Sequence, residues 1–373
     1  MNREMNEILE NLVGEAQREL CVSPESAQAY EKEKETLLQI VNDRLTEHPD
    51  LARFLGAGSL QVMYDNHRNH VNFMINVLKL NEFAMLARMV PWVYRVYHRH
   101  GFSYDYFLEE LRAWQGAVLA RLNEKHAKEI NRVYDWLLDH HEVMIALSSG
   151  TLIFTAPVMP EWRKQKDRFL SFLLDGNFES CLSLSERIVR EQKDVKEFYL
   201  QVVQPSLYDI GTLWEEGKIS VAEEHLATAI VGRVMASLYT RIPRRVRGKK
   251  KIVLTAAPNE FHEVGCRMVA DFLEAEGWDV YYLGANTPQV ELFRLLKKVK
   301  PKVLGISVTM PFNLVQVEEI VTRLQREEDF QEMKIMVGGI AFNLFSDLWR
   351  KLGVHGWAKD AETAVALVRE WVG

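Results

Sequence analysis

After residue 251 the chain settles into a rhythm that few folds can accommodate. Short apolar runs, KIVLTAA (251–257), VYYLG (280–284), VLGISVT (303–309), KIMVGG (334–339) and HGWAK (355–359), are separated by amphipathic stretches. Apolar runs without strict alternation are strands buried on both faces. Alternated with helices, they build a parallel sheet covered on both sides. In such sheets ligands bind beyond the carboxyl ends of the strands, where the strand order reverses. Chemistry is therefore expected in the loops after the first, third and fourth strands.

The rest of the chain reads as helix. In residues 1–150 apolar side chains recur at three and four, as in Phe73, Val77, Leu78 and Leu80 or Tyr134, Leu137 and Leu138. Ser148-Ser149-Gly150, followed by Pro157 and Pro160, breaks the pattern and marks a boundary. Residues 160–240 read as a four-helix bundle. Asp175-Gly176-Asn177 is a turn, Gly217 suits a left-handed helix cap, and Ser220 with Glu223 forms a capping box. The expected fold class is α + α/β. An all-helical domain (1–150) precedes a four-helix cap bundle (160–240) and a flavodoxin-like, Rossmann-like domain (251–373) with a five-stranded parallel sheet.

Composition narrows the function classes. The 46 basic and 52 acidic residues give a formal charge of −6, so there is no global cationic field to hold nucleic acid. Residues 241–251 carry seven Arg or Lys without an interleaved aromatic. That run reads as a solvated linker, with an anion patch as the sharper alternative. Cys21, Cys181 and Cys266 are widely spaced and form no CxxC, which argues for a reducing compartment. The polar amphipathic start is not a signal peptide, and no run approaches the roughly 18 apolar residues of a membrane span. A cytoplasmic protein without membrane contact is expected.

The loop after the first strand reads Pro258-Asn259-Glu260-Phe261-His262-Glu263-Val264-Gly265. It holds neither a dinucleotide fingerprint nor a P-loop. Instead, an imidazole is mounted two residues after a carboxylate and three before a glycine. Neutral histidine ligates cobalt, iron, copper or zinc. A neighbouring carboxylate can accept the other ring N–H, fixing the tautomer and raising ligand basicity. Gly265 would let a bulky planar ligand approach the backbone. A surface histidine on a βα loop is the plain alternative.

Glu260-x-His262-x-x-Gly265 resembles the cobalamin-binding signature, usually Asp-x-His-x-x-Gly, of methionine synthase and corrinoid proteins. The Glu form is similar to that of CarH/LitR-type photoreceptors. The other strand ends agree with that family: Gly284 after strand two, Ser307 and Thr309 around the end of strand three, and Gly338-Gly339 at the end of strand four. The resemblance covers about residues 160–373. It implies base-off cobalamin with His262 as the lower cobalt ligand and the displaced nucleotide tail buried in the sheet domain.

The bundle adds Trp214, nine further residues, then Glu224-His225, as in the cap of those photoreceptors. The resemblance implies that Trp214 lies over the upper axial group, while Glu224 and His225 contact an adenosyl moiety. Adenosylcobalamin is the preferred form, with methylcobalamin possible. Light would break the cobalt–carbon bond, and the cap would repack, changing oligomerisation or partner contacts. In the photoreceptors the residue after the tryptophan is a histidine that binds cobalt after illumination. Here it is Glu215, which puts a bis-histidine lit state in doubt.

The photoreceptors also carry a DNA-binding winged helix, and no such module stands out in residues 1–150. Direct DNA binding is not expected. Aromatics and histidines concentrate there, including His67, His70, Tyr94, Tyr97, His98, His100, His140 and His141. His67 and His70 share a helical face and could hold a metal or haem. The plainer reading is core and surface packing in an output or dimerisation module that contacts another protein. A homo-oligomeric, non-enzymatic light sensor is the leading expectation. A corrinoid methyl carrier in a methyltransferase system is the alternative. A mutase fragment is disfavoured by the lack of a substrate barrel.

Overall fold

The computed structural model describes residues 3–150, 156–242, 250–345 and 347–372. Most of the basic run at 241–251 lies outside the described residues. The chain forms two compact units: one takes in the N-terminal helices together with Glu215–Lys218, the other takes in Phe154–Trp214 and Ile219–Gly373.

The first unit is built of α1 (Arg3–Glu19), α2 (Pro24–Lys32), α3 (Lys34–Thr46), α4 (Leu51–Leu55), α5 (Leu60–Leu80), α6 (Ala84–Arg99), α7 (Tyr104–Arg121), α8 (Glu124–Asp139) and α9 (His141–Ser148). Its caps are written in the sequence. The Ser23, Ser59 and Asn123 side chains accept the N–H of the third residue on, and Pro24 starts α2 where no helical donor is needed. Asn81 ends α5 in the left-handed conformation at φ 46°. On α5 the buried positions Met63, His67, Val71, Met74, Ile75 and Leu78 recur at three and four, so one stripe faces the core.

The histidine-rich face is a packed interior. The His67 Nδ1 lies 2.6 Å from Asn42 Oδ1, and the His70 Nε2 lies 3.2 Å from the Tyr134 hydroxyl. The His70 ring stacks on Trp114 and Tyr134. Burial pushes both imidazoles down to about 3, so both are neutral at physiological pH. Among the described residues no group of three or more His, Cys, Asp or Glu is placed to hold a metal ion.

Beside them sits a buried carboxylate. Glu110 accepts hydrogen bonds from Asn66 Nδ2 at 3.1 Å and Trp114 Nε1 at 3.3 Å. Burial outweighs both bonds and raises Glu110 to about 7. Between about pH 4.5, its unfolded value, and 7 the folded chain keeps a proton that the unfolded chain has lost. Stability therefore falls as pH rises through that window and levels off above it. Glu110→Gln should flatten that slope by up to about 3 kcal/mol at 1.36 kcal/mol per pH unit. Thermal unfolding of wild type and variant at pH 5 and pH 8 reads the difference. Parallel pH profiles would show that Glu110 stays ionised in the folded protein.

In the second unit, α10 (Arg163–Leu174), α11 (Phe178–Ile188), α12 (Gln192–Phe198), α13 (Gln204–Glu215) and α14 (Val221–Leu238) form the helical bundle. Asn177 caps α11 through Ser180 N–H, and Ser220 with Glu223 closes a reciprocal capping box on α14. One feature escaped the sequence reading. Residues Tyr199–Val203 form a π-helical turn, which joins α12 to α13 as one run. Pro205 lies just after it. Proline cannot donate to the carbonyl four residues back and clashes with it, so a widened turn is one way to keep the helix running.

The sheet consists of β1 (Lys251–Ala256), β2 (Asp279–Tyr282), β3 (Val303–Ser307), β4 (Lys334–Gly338) and β5 (Gly356–Ala358). All pairings are parallel and the order is β2-β1-β3-β4-β5. Helices α15 (Val264–Ala275), α16 (Gln289–Val299), α17 (Leu314–Arg326), α18 (Ile340–Leu344), α19 (Leu348–Lys351) and α20 (Ala361–Val372) cover it. The strands stop one or two residues short of the apolar runs that predicted them, so Thr309 stands in the loop after β3 and not in the strand. This is the flavodoxin-like order, with its switch point between β1 and β3. Bundle and sheet share one hydrophobic core, in which Phe169, Phe198, Val202 and Val234 continue into Leu254, Met268 and Phe272. Tyr199 reinforces the join by donating its hydroxyl to the buried Asp271 carboxylate on α15 at 2.9 Å.

Candidate cobalamin site

The site begins with a buried carboxylate at the switch point. Glu260 is 1% exposed in the loop that follows β1. Two asparagines in left-handed conformation shape that loop, Asn259 at φ 62° and Asn286 at φ 50°. The Asn259 N–H donates to Asn286 Oδ1 and the Asn286 N–H to the Glu260 carbonyl, both at 3.0 Å. Asparagine tolerates this conformation better than other residues with a Cβ.

Five hydrogen bonds converge on the Glu260 carboxylate. Its Oε2 accepts from Thr309 N–H at 3.0 Å, Met310 N–H at 2.9 Å and Asn313 Nδ2 at 3.1 Å. Its Oε1 accepts from His262 N–H at 3.1 Å and from the imidazole Nδ1 at 2.5 Å. Burial would push Glu260 up, but the His262 bond and charge, with the Met310 and His262 N–H groups, hold it below the usual carboxylate range. Burial likewise presses His262 down. The bond and charge of Glu260, with a further contribution from Glu224, outweigh it and leave His262 raised.

The imidazole is thus a ligand set by its neighbours. Nδ1 carries the proton because it faces a carboxylate, and Nε2 is left with its lone pair. The side chain is 55% exposed although its partner is buried. A half-exposed imidazole locked by a buried carboxylate suits a metal-ligating histidine, which needs a fixed tautomer and an open second nitrogen.

Around it the backbone leaves room. A Cβ on Gly265, in the first turn of α15, would meet nothing within 4 Å. Gly284 adopts φ 74°, and the Glu263 carboxylate lies over it, accepting the Ala285 N–H at 3.0 Å. Gly338 ends β4 opposite Ser307 of β3 and Ala358 of β5. Gly339 follows at φ 95°, pressed against the Val308 backbone. Ser307, Thr309, Gly338 and Gly339 therefore gather at the carboxyl ends of β3 and β4. Open space at Gly265, small residues at the strand ends and a presented imidazole are what a corrin with a long nucleotide tail requires.

From the bundle, Trp214 stands half-buried one residue before α13 ends, and Glu224 and His225 lie in the first turns of α14. The Glu224 carboxylate joins His225 Nδ1 at 2.5 Å and accepts the Thr228 hydroxyl at 2.9 Å. His225 is well exposed. The structure links this set to His262 through the charge of Glu224. Sequence reasoning missed Asn313 and the Thr309 and Met310 N–H groups that grip Glu260. Backbone donors leave no residue-type signal, and Asn313 lies more than fifty residues downstream.

Comparison with known proteins agrees with this geometry. Residues 250–366 match the B12 binding domain family, and residues 165–239 match a second family also described as a B12 binding domain. Residues 165–366 carry a cobalamin-binding cap and domain, and the chain is a cobalamin-binding protein. The HTH-type transcriptional repressor CarH of Myxococcus xanthus is 32% identical over 157 residues, 42% of this chain and 51% of the repressor. The chain thus spans about half of that relative's length. A corrinoid protein of Desulfitobacterium hafniense is 23% identical over 56% of this chain and 97% of its own length. Dimethylamine corrinoid protein 1 of Methanosarcina mazei is 27% identical over 52% and 95%. The solved Methanosarcina barkeri monomethylamine corrinoid protein superposes with a TM-score of 0.50 at 17% identity, covering 56% of this chain and 98% of that one. At that identity it supports the fold alone. Among the described residues no helix is long and apolar enough to cross a membrane.

Proposed function

We propose that this protein is an adenosylcobalamin-dependent light sensor. His262 Nε2 would take the lower axial position, held by Glu260. The space at Gly265, Ser307, Thr309, Gly338 and Gly339 would receive the tail, and Gly284 would border it. Trp214, Glu224 and His225 would cover the opposite face. The group itself supplies a metal–carbon bond that visible light can break. The observation that carries the reading is this cap set, an indole followed after nine residues by a Glu-His pair whose glutamate acts on the His262 charge. An indole and a polar pair suit a held adenosyl group better than a face that must open to a methyl donor. The match to CarH supports the same reading. A homo-oligomer, with the N-terminal helical unit contacting a partner protein, completes it.

A second reading is a corrinoid methyl carrier. It is favoured by the matches to corrinoid proteins along nearly their whole length.

The test is to load the full chain with adenosylcobalamin in darkness and then expose it to green light. Absorbance should change faster than that of free cofactor, and hydrodynamic size should change with it. A methyl carrier would instead exchange methyl groups with a methyltransferase and keep its size. His262→Ala should remove the histidine-ligated spectrum and weaken uptake at least tenfold. A variant spectrum identical to wild type would reassign the lower ligand.

A further inference from the structure

The helical unit takes in four residues from far along the chain, Glu215–Lys218. Two side chains one turn apart on α6 hold the first of them. Trp92 Nε1–H donates to Glu215 Oε1 at 2.9 Å, and Arg95 Nη2 donates to Oε2 at 2.5 Å. The pair is buried, with the Arg95 side chain 6% and the Glu215 side chain 13% exposed. Arg95 Nε finds no acceptor among the described residues, so the guanidinium depends on Glu215 for its compensation. Two residues on, Gly217 adopts φ 68°, and a Cβ there would lie 3.0 Å from the Arg99 carbonyl, one turn further along α6. Trp92, Arg95 and Arg99 thus grip a single short segment.

Breaking a buried ion pair from one side strands the other charge, which is strongly unfavourable. The grip on Glu215 is therefore firm, and Glu215 is peptide-bonded to Trp214. In a helix neighbouring residues point about 100° apart. The same turn can present an indole in one direction and a carboxylate in another, and neither can shift along the helix without the other.

We propose that Glu215 reports the state of the cobalamin upper face to the N-terminal helical unit, by moving with Trp214 against its Trp92–Arg95 clasp. This rests on the reading that Trp214 covers that face. The unit then acts as the receiver of the signal, and the coupling is reciprocal: the clasp biases how firmly Trp214 is held.

The indole N–H of Trp92 is a direct readout. The full chain with 15N-labelled tryptophan is loaded with adenosylcobalamin in darkness or with hydroxocobalamin, and the Trp92 resonance is assigned through Trp92→Phe. Absorbance reports uptake independently. The Trp92 resonance should differ between the two loaded forms, and Glu215→Gln should shrink that difference by at least half. By reciprocity, adenosylcobalamin release from Glu215→Gln should change at least threefold. A Trp92 resonance identical in both loaded forms, with absorbance showing both bound, overturns the coupling and leaves the cofactor assignment standing. Absence of uptake in wild type removes both. Should Glu215→Gln fail to fold, the wild-type comparison still decides.

Discussion

Glu260→Ala is expected to cost about 3–6 kcal/mol of stability and to abolish histidine ligation together with it. The carboxylate accepts five hydrogen bonds, and its loss strands the Thr309 and Met310 N–H groups and the Asn313 amide in partly or fully buried surroundings. Each unsatisfied donor costs about 1–3 kcal/mol, less where water can follow the truncated side chain. The ring at 262 would also lose the partner that fixes its tautomer. Loss of such a partner lowers metal affinity by about 10–100-fold. Denaturant unfolding of the cofactor-free protein reads the first effect, and cobalamin titration by absorbance reads the second. Glu260→Gln separates them. It keeps an acceptor for the backbone donors, so stability should recover in part. It brings no charge, so His262 should bind the metal more weakly than in wild type. Unchanged stability in Glu260→Ala would mean that the loops after β1 and β3 are held together by something other than this carboxylate.

Gly339→Ala should be nearly as damaging, at more than about 3 kcal/mol. Gly339 sits at φ 95°, outside the conformations that side-chain-bearing residues adopt readily. A Cβ would lie 2.3 Å from the Val308 carbonyl oxygen and under 3.0 Å from two more Val308 backbone atoms. That contact cannot be relieved by a rotamer, because both partners are backbone. Val308 N–H bonds to the Gly338 carbonyl and Ala341 N–H to the Val308 carbonyl, so a shift at 339 would part the ends of β3 and β4. Differential scanning calorimetry on cofactor-free protein checks the prediction. Retained melting temperature would show that the two strand ends can separate at little cost. The same substitution should also reduce cobalamin uptake, since those ends border the proposed tail site.

The sheet was legible because period and composition speak together: five apolar runs with helical spacers leave little besides a parallel sheet. The helix ends of the bundle were legible because caps depend on residue type, as Ser220, Glu223, Asn177 and Gly217 show. At the site, Glu260 and His262 were visible as a pair because their spacing is local. The donors that hold Glu260 were invisible, being backbone groups or an asparagine brought in by the fold. The histidines of the N-terminal unit were legible as a concentration but not as a structure. Their roles are set by burial against Trp114, Tyr134 and Glu110, residues on other helices. Glu215 stood out as a departure in the motif, and nothing near it in sequence pointed to Arg95, 120 positions earlier.

The π turn at Tyr199–Val203 carries one residue more than a regular helix would fit into the same length. Excising a single residue there would let the run close up as ordinary helix and turn everything from Gln204 to Trp214 by about 100° about the axis. The direction of the Trp214 indole is in that sense a counting property of the chain, fixed a dozen residues upstream. Insertions and deletions in this stretch should therefore be more disruptive to the cap than substitutions of the tryptophan's own neighbours.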